Sequence, residues 1–262
     1  MSGLPAPESF LSGQTGHVAG LRRTALRRGA DAVLDLRLAA MGRRLDRLAA
    51  QAPRRSVLAA CVHRPGNSPP PLASTHHDLN VVAGSTADLT GGKFENLAAL
   101  LGDAPAADWT LVVDDDVELP TRFIDRFLGV CEHLSLALAQ PAQTLASHAA
   151  WPVTRRRAGV LARETRFVEI GPVTVFRRHV AEQLMPFPAL RYGWGLDLHW
   201  SAVAAERGWC MGIVDSTPVR HEGAPVASSY PASEAIEEAR RFLAQRPHIT
   251  AEQAAETVAV HR

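Results

Sequence analysis

Residues Trp109 to Pro120 read WTLVVDDDVELP. Nothing polar interrupts the run between Thr110 and Asp114, so the segment predicts a short strand buried on both faces, of the kind found in parallel sheets. Asp114, Asp115 and Asp116 then stand at its C-terminal end, where open α/β sheets bind their ligands. Three adjacent carboxylates repel one another and call for positive charge. A hard divalent cation, Mn²⁺ or Mg²⁺, answers that need, because it takes carboxylate oxygens and keeps positions free for diphosphate oxygens. The competing reading is local: one Asp caps the next helix while the others are solvated.

Outward from this stretch the chain alternates strand and helix. SVLAACV from Ser56 is a first buried strand, Leu79 to Ala83 a second after the break NSPPPLAS, and KFENLAALL from Lys93 a helix. This βαβ rhythm predicts an α/β fold with a mixed, mainly parallel sheet flanked by helices. After Pro120, the residues Phe123, Ile124, Phe127, Leu128 and Cys131 form the apolar face of a helix. Further strands are predicted at Leu136 to Leu138, Val168 to Phe176 and Trp209 to Val214, and a helix from Leu196 to Arg207 that stops at Gly208. At the C-terminus two helices are expected, opening at Pro231 and Thr250, the latter with a capping box to Gln253.

Before the first strand, Met1 to Gly16 lacks periodicity and reads as a mobile tail. His17 to Gln51 places Val18, Leu21, Val33, Leu36, Leu38, Met41, Leu45 and Leu48 at helical spacing among arginines. That pattern fits an amphipathic helix or helix pair packed on the domain; an arginine-rich helix of this type can also lie on an anionic membrane surface. The expected organisation is therefore a tail (1–16), a helical extension (17–52), a catalytic domain (53–228) and C-terminal helices packed on it (229–262).

Composition excludes several classes. A formal net charge of +1 over 262 residues speaks against a nucleic-acid binder, which needs a one-signed basic face. The three cysteines, without a CxxC pair, suggest neither a zinc site nor a disulfide framework, and fit a reducing cytoplasm. No apolar run approaches the roughly 20 residues of a transmembrane helix. The expected protein is soluble and cytoplasmic, with peripheral membrane contact as the route to any lipid-linked partner. HRPGNSPP after the first strand is not a dinucleotide-binding GxGxxG. Glu118 stands where haloacid-dehalogenase-like phosphatases carry Thr or Val.

Two stretches in the second half supply partners for the acidic cluster. In RYGWGLDLHW, Gly193 and Gly195 flank Trp194 and lead to Asp197 at a helix start. Glycines permit close backbone approach, Trp194 offers an apolar face suited to a sugar ring, and a carboxylate there can take a proton from a hydroxyl. In GIVDSTPVRHEG, a strand leads to His221, whose imidazole can be a third metal ligand. Glu169, just before the strand that Gly171 opens, can line an acceptor cleft. Arg177, Arg178 and Asp215 read as surface or structural residues.

Taken in order, LVVDDD, IGPVTVFRR (Ile170 to Arg178), GWGLD (Gly193 to Asp197) and GIVDSTPVRH (Gly212 to His221) resemble the inverting GT-A glycosyltransferases. The chain is also similar to the lysine-ketoglutarate-reductase trans-splicing-related family, of uncertain function, through AQPA, FVEIGPV, WGLD and the VDS-to-His element. The resemblance covers about Ser56 to Val226. It implies transfer of a sugar from a nucleotide-diphosphate-sugar donor to a hydroxyl of a glycan, lipid-linked or small-molecule acceptor. On that pattern Asp116 and His221 bind the metal, and Asp114 and Asp115 face the donor. Lys93 and Asn96 of GGKFEN border the nucleotide; Trp194, Gly195, Glu169 and Gly171 contact substrate; Asp197 is the general base. Leu196 replaces the first acid of the family's Glu-Asp pair, and Ala83-Gly84-Ser85 lacks the acid that usually contacts the base. Two alternatives are a GT-A-like binding protein without turnover and a nucleotidyltransferase, the latter disfavoured because no Gly-rich loop ending in Arg follows Val62.

Overall fold

A computed structural model describes residues 21–102, 104–147, 149–221 and 230–262. The predicted tail, Met1 to Gly16, lies outside them, as does the stretch 222–229. The described chain is a mixed α/β fold: one nine-stranded sheet with helices on both faces.

The strands are β1 (Ser56–His63), β2 (Asp78–Ser85), β3 (Trp109–Val113), β4 (Val117–Glu118), β5 (Leu138–Gln143), β6 (Ala162–Thr165), β7 (Val173–Arg177), β8 (Met211–His221) and β9 (Thr257–His261). Their order is β2-β1-β3-β7-β5-β8-β6-β9, with β4 paired to β8. The helices are α1 (Leu21–Ala39), α2 (Gly42–Gln51), α3 (Lys93–Gly102), α4 (Phe123–His133), α5 (Arg178–Leu184), α6 (Leu196–Arg207), α7 (Ala232–Leu243) and α8 (Ala251–Ala254).

Alternation along the central strands explains the two cores. In β3, Trp109, Leu111 and Val113 face one side, where α2 and α4 pack with Leu45, Leu48, Phe123 and Phe127. Val112 faces the other side, where Phe94, Trp200 and Phe242 from α3, α6 and α7 pack. A strand buried on both faces has no polar alternation, which is why Thr110, itself buried, is the one polar residue in WTLVV.

Strand direction determines what meets at the sheet's edge. β1 and β3 are parallel, β7 is antiparallel to β3, β5 antiparallel to β7, and β8 parallel to β5. It follows that β1, β3 and β8 all end at the same edge, and that the segment entering β7 starts there too. β8 overshoots its neighbours, and its last residues pair with β4 through Val117↔His221 and Glu118↔Arg220.

Three expectations need correction. The C-terminus is not helical throughout: the Thr250–Gln253 capping box opens only the four-residue α8, and Thr257–His261 then joins the sheet edge beside β6. Alternating exposure of Val258 and Val260 marks that strand's period of two. The strand predicted from Val168 begins only at Val173, and the residues before it form the loop described below. Finally, of the expected N-terminal helix or helix pair, residues 17–20 lie outside the described ones, and among the rest α2 buries Leu45 and Leu48. On α1, Leu26, Val33 and Leu36 are exposed.

Candidate active site

Asp114–Asp116 follow β3, His221 ends β8, and Lys93 opens α3. One ligand atom from each of Asp114, Asp116 and His221 lies within 4.8 Å of the others. Among the described residues, no other three acidic, histidine or cysteine side chains gather in this way. His221 Nε2 is 3.0 Å from Asp116 Oδ1, and Lys93 Nζ is 2.7 Å from Asp114 Oδ1. The backbone is held as firmly: Asp114 N–H donates to Pro172 O at 2.8 Å, and His221 N–H to Ser147 Oγ at 3.0 Å.

Burial disfavours the charge on Asp116, but the hydrogen bond and charge of His221, with Arg64 and Lys93, outweigh it and hold the carboxyl down at about 2. Burial likewise favours a neutral His221 ring, while Asp116 and Asp114 raise its pKa above the ordinary value. Two carboxylate oxygens and one imidazole nitrogen form a donor set suited to Mn²⁺ or Mg²⁺, leaving further coordination positions for other oxygens. The residues present therefore fit a divalent cation.

Asp115 has a separate occupation. It accepts hydrogen bonds from Arg64 N–H (2.8 Å), Arg64 Nη2 (2.9 Å) and Asn67 Nδ2 (2.9 Å), and so anchors the loop that leaves β1. Arg64 Nη2 also reaches Asp116 Oδ2 at 3.1 Å. The sequence reading weighed HRPGNSPP only as a dinucleotide-binding loop and so passed over Arg64. The available signal was its position one residue beyond β1, the parallel neighbour of the strand that carries the aspartates.

Glu169, in the loop entering β7, and Asp197 are both buried. Asp197 sits in the first turn of α6, only 5% exposed, with Leu198 N–H donating to it at 3.0 Å. Burial pushes its pKa up to about 7, the negative charge of Glu169 adds to the rise, and N–H donors of Leu198 and Ile170 partly oppose it. Glu169 accepts from Gln143 Nε2 (2.8 Å) and Ala150 N–H (3.2 Å), and burial raises its pKa as well. Ile170 joins the two halves: its N–H donates to Asp197, and its carbonyl accepts from Lys93 at 3.5 Å. A Cβ on Gly171 would lie 3.4 Å from both Gln143 and Glu169, an ordinary contact distance, so Gly171 sits beside this pair without being required there by space.

Other expected contact residues point inward. Asn96 is buried, bonding Gly91 N–H with Oδ1 and the carbonyls of Leu89 and Gly91 with Nδ2, which ties down the loop before α3. Trp194 is 7% exposed and donates to Tyr230 Oη at 3.1 Å; it belongs to the core rather than to an open face. The glycines do allow close approach, but to protein: a Cβ on Gly92 would lie 2.1 Å from Arg191 O, and one on Gly193 2.2 Å from the Phe94 ring. These contacts bring the Lys93 loop against the segment leading to Asp197. Gly195 takes φ +88° and abuts Leu243.

No family model matches this chain, and no curated protein matches its sequence. Among solved structures it is similar to GalNAc-T7 with UDP, GalNAc and Mn²⁺, at 11% identity and a TM-score of 0.45 over 71% of this chain and 48% of that one. It is also similar to S. aureus TarS 1–349 in complex with UDP-GlcNAc, at 12% identity and 0.48 over 72% and 65% of the two chains. A third is the mannosyltransferase PcManGT from Pyrobaculum calidifontis in complex with GDP-Man and Mn²⁺, at 14% and 0.46 over 88% and 79%. The chain thus spans about half the length of the GalNAc-T7 chain and just under two thirds of the TarS chain.

Proposed function

We propose that this chain is a metal-dependent glycosyltransferase of the GT-A type, moving a sugar from a nucleoside-diphosphate donor to an acceptor hydroxyl with inversion at the anomeric carbon. The observation that carries the reading is the meeting of a carboxylate–imidazole cluster (Asp114, Asp116, His221) with a buried carboxyl pair (Asp197, Glu169), bridged by Lys93 and Ile170 at one sheet edge.

Asp114, Asp116 and His221 would hold the cation, which when bound supplies positive charge to the departing diphosphate. Lys93 and Arg64, the cations that already contact the aspartates, are the residues to orient that diphosphate. Asp197 takes the proton of the acceptor hydroxyl. The hydroxyl oxygen then bonds to the anomeric carbon from one side while the carbon–oxygen bond to the phosphate breaks on the other, its electron pair leaving with the nucleoside diphosphate. A carboxyl whose pKa lies at about 7 is a far better base than an ordinary aspartate and is still half ionised at neutral pH.

The direct assay is turnover of a panel of nucleoside-diphosphate sugars by the purified chain with Mn²⁺. Asp197→Asn is expected to keep donor affinity and lose turnover by about 10²–10⁴-fold, the contribution of a positioned general base. Unaltered turnover in that variant refutes the assignment.

A further inference from the structure

Helix α1 is attached to the body by its polar side. Asp31, fully buried, accepts the N–H groups of Leu145 and Ala146 at 2.9 Å each and pairs with Arg156 at 3.3 Å. Arg27 donates to Leu145 O at 2.9 Å, and Asp35 pairs with Arg156 at 2.7 Å. At about 100° per residue, Leu26, Val33 and Leu36 fall on the side opposite Asp31. They are 76%, 52% and 77% exposed, and they make up half of the exposed large hydrophobic side chains among the described residues. Single exposed aliphatics are ordinary, but three aligned on one ridge are not what a solvent-facing helix carries.

The charge of the two helices is mainly positive. Leu21–Gln51 holds eight arginines, three aspartates and neither lysine nor glutamate. Each aspartate is paired with an arginine of the body: Asp31 and Asp35 share Arg156, and Asp46 meets Arg122 and Arg126. Arg37, Arg43, Arg44 and Arg47 are exposed. No helix among the described residues is long and apolar enough to cross a membrane, so lipid contact of α1 and α2 is made from the surface.

We propose that α1 and α2 dock on an anionic lipid bilayer, with Leu26, Val33 and Leu36 entering the headgroup–acyl boundary and the flanking arginines meeting lipid phosphates. Both features are needed for this partner. A nucleic acid would engage the arginines and leave the aliphatic ridge without a role. A second copy of this chain would set the same positive face against itself. The inference holds independently of what the candidate active site does.

The test is flotation of the full chain with vesicles of phosphatidylcholine alone and of phosphatidylcholine mixed with phosphatidylglycerol. Binding is expected only to the mixed vesicles, and to weaken as salt rises. Leu26→Ser with Leu36→Ser should weaken it at least about tenfold, and Arg37→Gln with Arg44→Gln about fivefold per arginine. All four positions are exposed, so circular dichroism and thermal melting should remain those of the parent chain. Equal binding to neutral vesicles, binding to neither, or leucine variants that bind like the parent would each overturn the proposal. So would self-association in sedimentation, or duplex DNA binding, in a chain that ignores both vesicles.

Discussion

Asp197 and Glu169 are both raised above the ordinary carboxylate range by burial, and the negative charge of Glu169 makes Asp197 harder still to ionise. Because Asp197 works as a base only when deprotonated, turnover is expected to climb with pH through about 7. Glu169→Gln removes the negative neighbour, which should lower the Asp197 pKa and move that ascending limb toward acid. A pH–rate profile of the variant checks this, and an unmoved limb contradicts the coupling. At this scale the order of motifs pointed to Asp116, Asp197 and His221 through the resemblance, but it set Asp114 toward the donor, whereas the fold gathers Asp114 with Asp116 and His221. The sequence hid the inward turn of Asn96 and Trp194. Those side chains are occupied by Leu89, Gly91 and Tyr230, partners chosen by how the loops fold on each other.

Among the elements, the long apolar ones were legible and the short polar ones were not. β1, β3, α4 and α6 each carry their own periodicity and stops. β6 reads ARET, and its strand character comes from β8 and β9 on either side. Its Arg163 is fully buried, forming a forked pair with Asp215 of β8 at 2.8 and 3.1 Å and donating to Val153 O and Arg155 O. Removing one partner of such a pair strands the other in the interior. Arg163→Ala should therefore cost about 3–5 kcal/mol in urea denaturation, and a loss under about 1 kcal/mol would mean that the pair is not stabilising β6 on β8.

For the molecule as a whole, the deciding feature is the mixture of strand directions. A βαβ rhythm predicts the parallel order of β1, β2 and β3, and β5 with β8 restores it across the sheet. The antiparallel β7 between them could not be read locally. Its reversal brings the Glu169–Pro172 loop to the edge where β3 and β8 end, and so joins the acidic cluster to Asp197. The account stands or falls on a cation at that edge. Mn²⁺ titration of the purified chain, followed by electron paramagnetic resonance, measures it directly. A single site per chain is predicted, weakened at least about tenfold in His221→Ala, in keeping with the loss of one of three protein ligands. Equal Mn²⁺ binding in the parent and in both His221→Ala and Asp116→Asn, or none in the parent, would contradict it.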